Sequence, residues 1–96
     1  MNTFTEFPGT ASPRHLRILK ALLKRPCKRE EIDRIAQASN GPDEIYELRN
    51  LGLEIPCQRI PIRDRDSHRS FYGEYSLTPA DCQKVIRWAS REGVTL

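Results

Sequence analysis

Residues 29–57, REEIDRIAQASNGPDEIYELRNLGLEIPC, decide how the rest of the chain must fold. Ile32, Ile35 and Ala36 fall on one helical face, and Ile45, Leu48 and Leu51 fall on another. Between these runs, Ala38-Ser39-Asn40-Gly41 is rich in turn formers. Pro42 suits the first position of a new helix, where a backbone N–H has no partner to lose. Gly52 follows the last apolar position of that helix, where a left-handed C-cap is expected. Leu53, Ile55 and Cys57 then alternate with the period of a strand. The pattern predicts a helix from near Lys28, a tight turn, a second helix over 42–51, another turn and a strand.

On the N-terminal side, Ser12-Pro13 is a helix start, with Ser as N-cap and Pro in the first turn. That helix is expected to run to about Arg25 and to stop before Pro26. Leu16, Ile18, Leu19, Leu22 and Leu23 lie on one side of it, and Arg17, Lys20 and Lys24 on the other. Residues 1–11 read as a loose arm, which Phe4 and Phe7 could tack onto the core.

On the C-terminal side, Ile60 and Ile62 alternate in the opposite phase to Leu53, Ile55 and Cys57. Such a slip predicts a bulge or bend near Gln58-Arg59, and Pro56 and Pro61 fit an edge strand. Asp64-Arg65-Asp66-Ser67 is a polar turn, after which Phe71, Tyr75 and Leu77 alternate. A hairpin over 53–77, with about ten residues in each arm, is expected, carrying Arg59, Arg63, Arg65, His68 and Arg69 at its tip and flanks. Thr78-Pro79-Ala80-Asp81 starts a last helix by the same cap logic, with Asp81 near a capping-box position. Cys82, Val85, Ile86 and Ala89 would form its buried stripe, with Trp88 to the side and Gly93 at its end. The expected layout is an arm over 1–11, one domain over 12–92 and a tail over 93–96.

The chain has 96 residues, enough for one domain with a modest core and no deep substrate cleft. The titratable residues are explained without catalysis: His15 and His68 have no credible nucleophile or second base near them in sequence, and no enzyme activity is expected. Three cysteines, Cys27, Cys57 and Cys82, with no CxxC pair read as free buried thiols rather than as a disulfide framework or a zinc site. No cofactor or metal is implied. No apolar run approaches bilayer length, and the N-terminus lacks the basic-then-apolar pattern of a secretion signal, which points to the cytoplasm. The net charge is only +3, but it is two-sided. Residues 13–29 hold Arg14, Arg17, Lys20, Lys24, Arg25, Lys28 and Arg29 and no acid, whereas acids dominate from Glu30 to Glu54.

Two short helices joined by a Gly-containing turn make a helix-turn-helix, whose second helix can lie in a DNA major groove. Its outward side would present Asp43, Tyr46, Glu47 and Asn50, with Arg49 at the flank. Asn and Arg can pair with base edges, while the carboxylates can only accept hydrogen bonds. Three helices followed by a hairpin, roughly Ser12 to Leu77, is an α+β order that resembles a winged helix domain with a further C-terminal helix. ASNGPDEIYELRNLGLEIPCQR followed by YSLTPAD also looks like small helix-turn-helix proteins of bacteriophages and prophages. The acidic outward side of helix 42–51 departs from that family's usual DNA-binding surface.

The resemblance implies a regulator that binds duplex DNA. Helix 42–51 would be the recognition element, with Ser39 and Asn40 donating to phosphate at its start. Tyr46, Arg49 and Asn50 would lie along it, and Arg59, Arg63, Arg65, His68 and Arg69 would serve as the wing's grip. The alternative is a protein-docking module within a replication, transcription or packaging complex. Tyr46 and Trp88 would then be anchors, and the last helix would be a route to a homodimer.

Overall fold

The computed structural model describes residues 6–37, 41–63, 65–66 and 69–96. Its elements run α1 (Pro13–Lys24), β1 (Cys27–Lys28), α2 (Arg29–Ala36), α3 (Gly41–Asn50), β2 (Cys57–Arg63), β3 (Arg69–Tyr75) and α4 (Pro79–Glu92). The class is α+β, with these helices packed at one end of a three-stranded antiparallel sheet of order β1-β3-β2.

Local chemistry sets the helix ends. Ser12 Oγ accepts from the His15 N–H at the start of α1. The Glu31 carboxylate accepts from the Lys28 N–H, one half of a capping box at the start of α2. The Asp33 carboxylate of α2 accepts from the Gly41 N–H, 2.6 Å away, at the head of α3. At the other end of α3, Gly52 has φ +105°. Its N–H bonds to Arg49 O and the Leu53 N–H to Leu48 O, the paired bonds of a glycine-terminated helix. Thr78 and Asp81 exchange cap bonds at α4, and Gly93 closes it in the left-handed region.

The core joins Ile18, Leu19 and Leu22 of α1 to Ile32 and Ala36 of α2, Ile45 and Leu48 of α3, and Val85, Trp88 and Ala89 of α4. Cys27, Leu53, Ile55 and Tyr75 complete it from β1, the α3–β2 loop and β3. The helical stripes expected around residues 29–51 are the ones observed, with Ile35 and Leu51 at their margins.

Several features differ from the sequence expectation. The Gln58-Arg59 bulge is absent: β2 and β3 pair without a break from Cys57↔Tyr75 to Arg63↔Arg69. The phase slip arises earlier, because Leu53 and Ile55 lie in a loop and not in the strand. Ile55 there has φ +38°, rare for a β-branched residue, and both side chains turn inward. β2 and β3 therefore have seven residues each, and β2 is the edge strand that Pro61 requires.

On α4 the buried face is rotated. Trp88 is 5% exposed and Ile86 53% exposed, the reverse of their expected places. The cause is the N-terminal segment. Phe7 is buried and meets the indole edge-on, with centroids 5.2 Å apart, so from Phe7 onward the arm is tied to the core. Val94 and Leu96 of the tail also pack against the core. Finally, β1 is a strand that the sequence reading lacked; its two residues pair with Tyr75 and Glu74.

The cysteines are free but not all buried: Cys27 is buried, Cys82 partly so and Cys57 exposed. Burial also pushes the Cys27 thiol above its ordinary pKa, against the pull of nearby Arg25. A thiol reagent added to native protein should therefore label Cys57 first, Cys82 more slowly and Cys27 only on unfolding. Time-resolved labelling with mass detection checks this order, and equal rates at Cys27 and Cys57 would contradict the placement of β1.

Candidate nucleic-acid interface

The β2–β3 register sorts the hairpin into two faces, because directly paired residues point the same way and neighbours along a strand alternate. One face carries, from the core outward, Cys27, Tyr75 and Cys57, then Arg59 opposite Gly73, Pro61 opposite Phe71, and Arg63 opposite Arg69. The other carries Lys28, Gln58, Glu74, Ile60, Tyr72, Ile62 and Ser70. Arg59, Arg63 and Arg69 thus share a face on which none of the paired strand residues is an acid, while Glu74 is on the reverse. All three are exposed, as is Arg65 at the tip.

Gly73 leaves the space opposite Arg59 empty of side chain, and the guanidinium lies diagonally over the Phe71 ring, 4.6 Å from its centroid. Phe71 itself is 52% exposed. The alternation that put Phe71 and Tyr75 on one face is observed. Only Tyr75 is covered, because the helices end before the hairpin does. Sequence reasoning placed Phe71 on the strand but not among the interface residues; the signal available was its place among the hairpin arginines.

The arginine face begins beside α3. The Arg49 guanidinium sits 5.9 Å from the Tyr75 ring centroid and donates to Glu54 O and Ile55 O, the shortest contact being 2.7 Å. Arg49 therefore braces the base of the hairpin, and its expected place as a base-reading residue conflicts with these bonds. Tyr46, Asn50, Asp43 and Glu47 are exposed along one side of α3, with Tyr46 at 64%. Ser39, Asn40 and His68, also expected at the interface, lie outside the described residues.

The acids of α3 have a partner that the sequence did not reveal. His15 of α1 is buried, with Nε2 2.9 Å from Glu47 and 3.5 Å from Glu44. Its Nδ1 is 2.7 Å from Thr10 Oγ1. These three side chains offer metal-ligating atoms within 4.8 Å of one another. Both imidazole nitrogens already have protein partners, so the cluster stands as a polar bridge between α1 and α3. Its effect on the surface is to draw the Glu47 carboxylate toward the protein.

The basic side of α1 is partly committed too. Arg17 donates to Ile35 O and Ala36 O, capping the end of α2, while Lys20 and Lys24 stay exposed. Arg25 pairs with Glu31 at 2.6 Å; that hydrogen bond, with the Lys28 N–H, lowers the Glu31 carboxyl to about 2. Lys28 Nζ lies 4.7 Å over the Tyr72 ring on the reverse face of the sheet. Among the described residues the hairpin strands thus gather Arg59, Arg63 and Arg69 on one face, while Lys20 and Lys24 remain a second exposed basic pair on α1. No helix among the described residues is long and apolar enough to cross a membrane.

No protein-family model matches this chain, and neither a curated protein nor a solved structure does.

Proposed function

We propose that this chain is a duplex-DNA-binding protein of the winged helix kind, with regulation of transcription or of a phage programme as its role. The element order α1-β1-α2-α3-β2-β3, with β1 joined to the hairpin on the β3 side, supports the winged helix reading. The observation that carries the function is the hairpin face, where Arg59, Arg63 and Arg69 line up without an acid and run in toward α3. Aligned guanidinium groups suit phosphate, because each presents a rigid fork of donors. Tyr46 and Asn50 of α3 are the side chains free to meet base edges or sugar. The tie between Glu47 and His15 lessens the repulsion that an acidic outward face would offer to phosphate.

A mobility-shift series against salt tests the proposal. Binding should be present at low salt and weaken steeply as salt rises, since each neutralised phosphate adds roughly 0.9 to the logarithmic slope. Replacing Arg63, Arg65 and Arg69 together with alanine should weaken binding to every sequence by about tenfold or more and flatten that slope. Asn50→Ala should instead relax discrimination at one base pair while leaving the slope nearly unchanged. Absence of duplex binding at low salt would sink the proposal.

A protein-docking role has one observation in its favour. Ile86 is exposed on α4 beside Leu23, Ala89, Val94 and Leu96, around a cleft of about 380 Å³. Trp88 no longer serves that role, because it is inside the core. Sedimentation of the wild-type chain and of Ile86→Lys would show whether this face joins copies.

A further inference from the structure

We infer that the hairpin binds an unstacked nucleobase on the Phe71 ring, so that the preferred ligand is duplex DNA with a single-stranded stretch beside it. This rests on the DNA-binding function proposed above and specifies the form of DNA it takes. Phosphate contacts alone explain the arginines; they do not explain a half-exposed phenyl ring in their midst.

The ring's position says how it would be used. Phe71 lies within β3, on a flat sheet face, paired with Pro61. Arg63 and Arg69 lie farther out, and Arg59 lies on the core side. An apolar wedge that opens a base step from the groove has to lead from an apex, and Phe71 is not at one. Aromatic side chains on a sheet face instead take bases that are already out of the stack, each π-face against the next.

Chemistry and space agree with this. Arg59 lies over the ring and adds a second planar group, this one cationic, against which a base can stack. A cleft of about 420 Å³ opens at the outer part of the hairpin, lined by Pro61, Arg63, Arg69 and Phe71 of this face and by Ile62 and Ser70 of the other. The arginines supply the charge that draws a strand across it. A protein partner would have to be both acidic and aromatic to use a ring with one guanidinium over it and two arginines farther out along the same face. A nucleic acid meets both requirements at every residue.

The experiment uses three fluorescent probes of the same core sequence: a blunt duplex, the duplex with a single-stranded thymine overhang, and the single strand. Anisotropy titrations should show the full chain binding the overhang duplex more tightly than the blunt one. Phe71→Ala should lose roughly 5- to 100-fold on the overhang duplex and far less on the blunt one, with the salt slope unchanged. Phe71→Trp should keep the preference, and Phe71→Leu, which preserves apolar bulk without a π-face, should lose it. A 2-aminopurine in the overhang should be quenched by the parent and not by Phe71→Ala. Because Phe71 is exposed, these variants should melt with the parent.

Equal affinity of the parent for blunt and overhang duplexes, or an overhang preference that survives Phe71→Ala and Phe71→Leu, would overturn the inference and leave duplex binding standing. Failure to bind any of the probes at low salt would remove the DNA-binding function and the inference together.

Discussion

Asp81→Ala is expected to cost about 3 kcal/mol of folding stability or more, against a total of about 5–15 kcal/mol for a domain of this kind. Asp81 is 0% exposed, yet it is a carboxylate. It survives inside because its oxygens accept from the backbone N–H groups of Glu54 and Ile55, each at 2.9 Å, and of Thr78 at 3.2 Å. Removing the carboxylate leaves the Ile55 N–H unmet in a buried site, at a cost of about 1–3 kcal/mol, and takes charge-assisted bonds from the part-buried Glu54 and Thr78 N–H groups. The Glu54–Ile55 segment is also where the backbone is strained, with Ile55 at φ +38°. Asp81 holds its N–H groups from one side and Arg49 holds its carbonyls from the other. Lys84 adds a bond to Gly52 O at 3.0 Å.

The loss should appear in thermal melts as a drop of roughly 12–24 °C, at about 4–8 °C per kcal/mol for a chain of this length. Asp81→Asn should fall between parent and alanine, because one carbonyl oxygen remains to accept. A destabilisation by Asp81→Ala of less than about 1 kcal/mol in denaturant titrations would show that the loop does not depend on this carboxylate.

Trp88→Ala should cost about 3–5 kcal/mol, the range for deleting a large buried aromatic side chain. Its ring meets Phe7 edge-on at 77° and underlies Gly9, whose φ of +100° and lack of a Cβ let the backbone lie directly on the indole. The same segment carries Thr10, which holds His15 and through it the acids of α3. Losing Trp88 therefore frees residues 7–10 as well as opening a cavity. Phe7→Ala should cost nearly as much, and the double variant should cost less than the two singles added, because they share one contact. Equilibrium unfolding of the three variants checks this; full additivity would mean that Phe7 and Trp88 pack independently. The result also bears on docking, since a binding defect in Trp88→Ala would report unfolding and not a lost anchor.

Much of the candidate interface was legible before the fold. Arg59, Arg63, Arg65 and Arg69 were marked by their clustering around a hairpin turn, and Tyr46 and Asn50 by their spacing on an amphipathic helix. Which arginines share a face was not legible. That depends on strand register, and the sequence suggested a bulge that would have shifted the faces, whereas pairing is unbroken. Arg49 looked like a base-reading residue because arginine can pair with a base edge and its helix position flanks the outward side. Only the path of the α3–β2 loop shows that its guanidinium is occupied by backbone carbonyls.

The sequence by itself determined the helices and their ends. Ser12-Pro13, Gly52, Thr78-Pro79 and Gly93 act on groups within five residues of themselves, so their effect does not wait for the rest of the chain. Tertiary structure alone decided the left-handed Ile55, the buried Asp81 and His15, the two-residue β1 and the side of α4 that faces inward. Asp81 meets Glu54 from 27 residues away, and His15 meets Glu47 from 32. On α4, both Ile86 and Trp88 border the stripe of Val85 and Ala89, and hydrophobicity cannot choose between them. Phe7 chose, because only one side of the helix had an aromatic ring waiting for it.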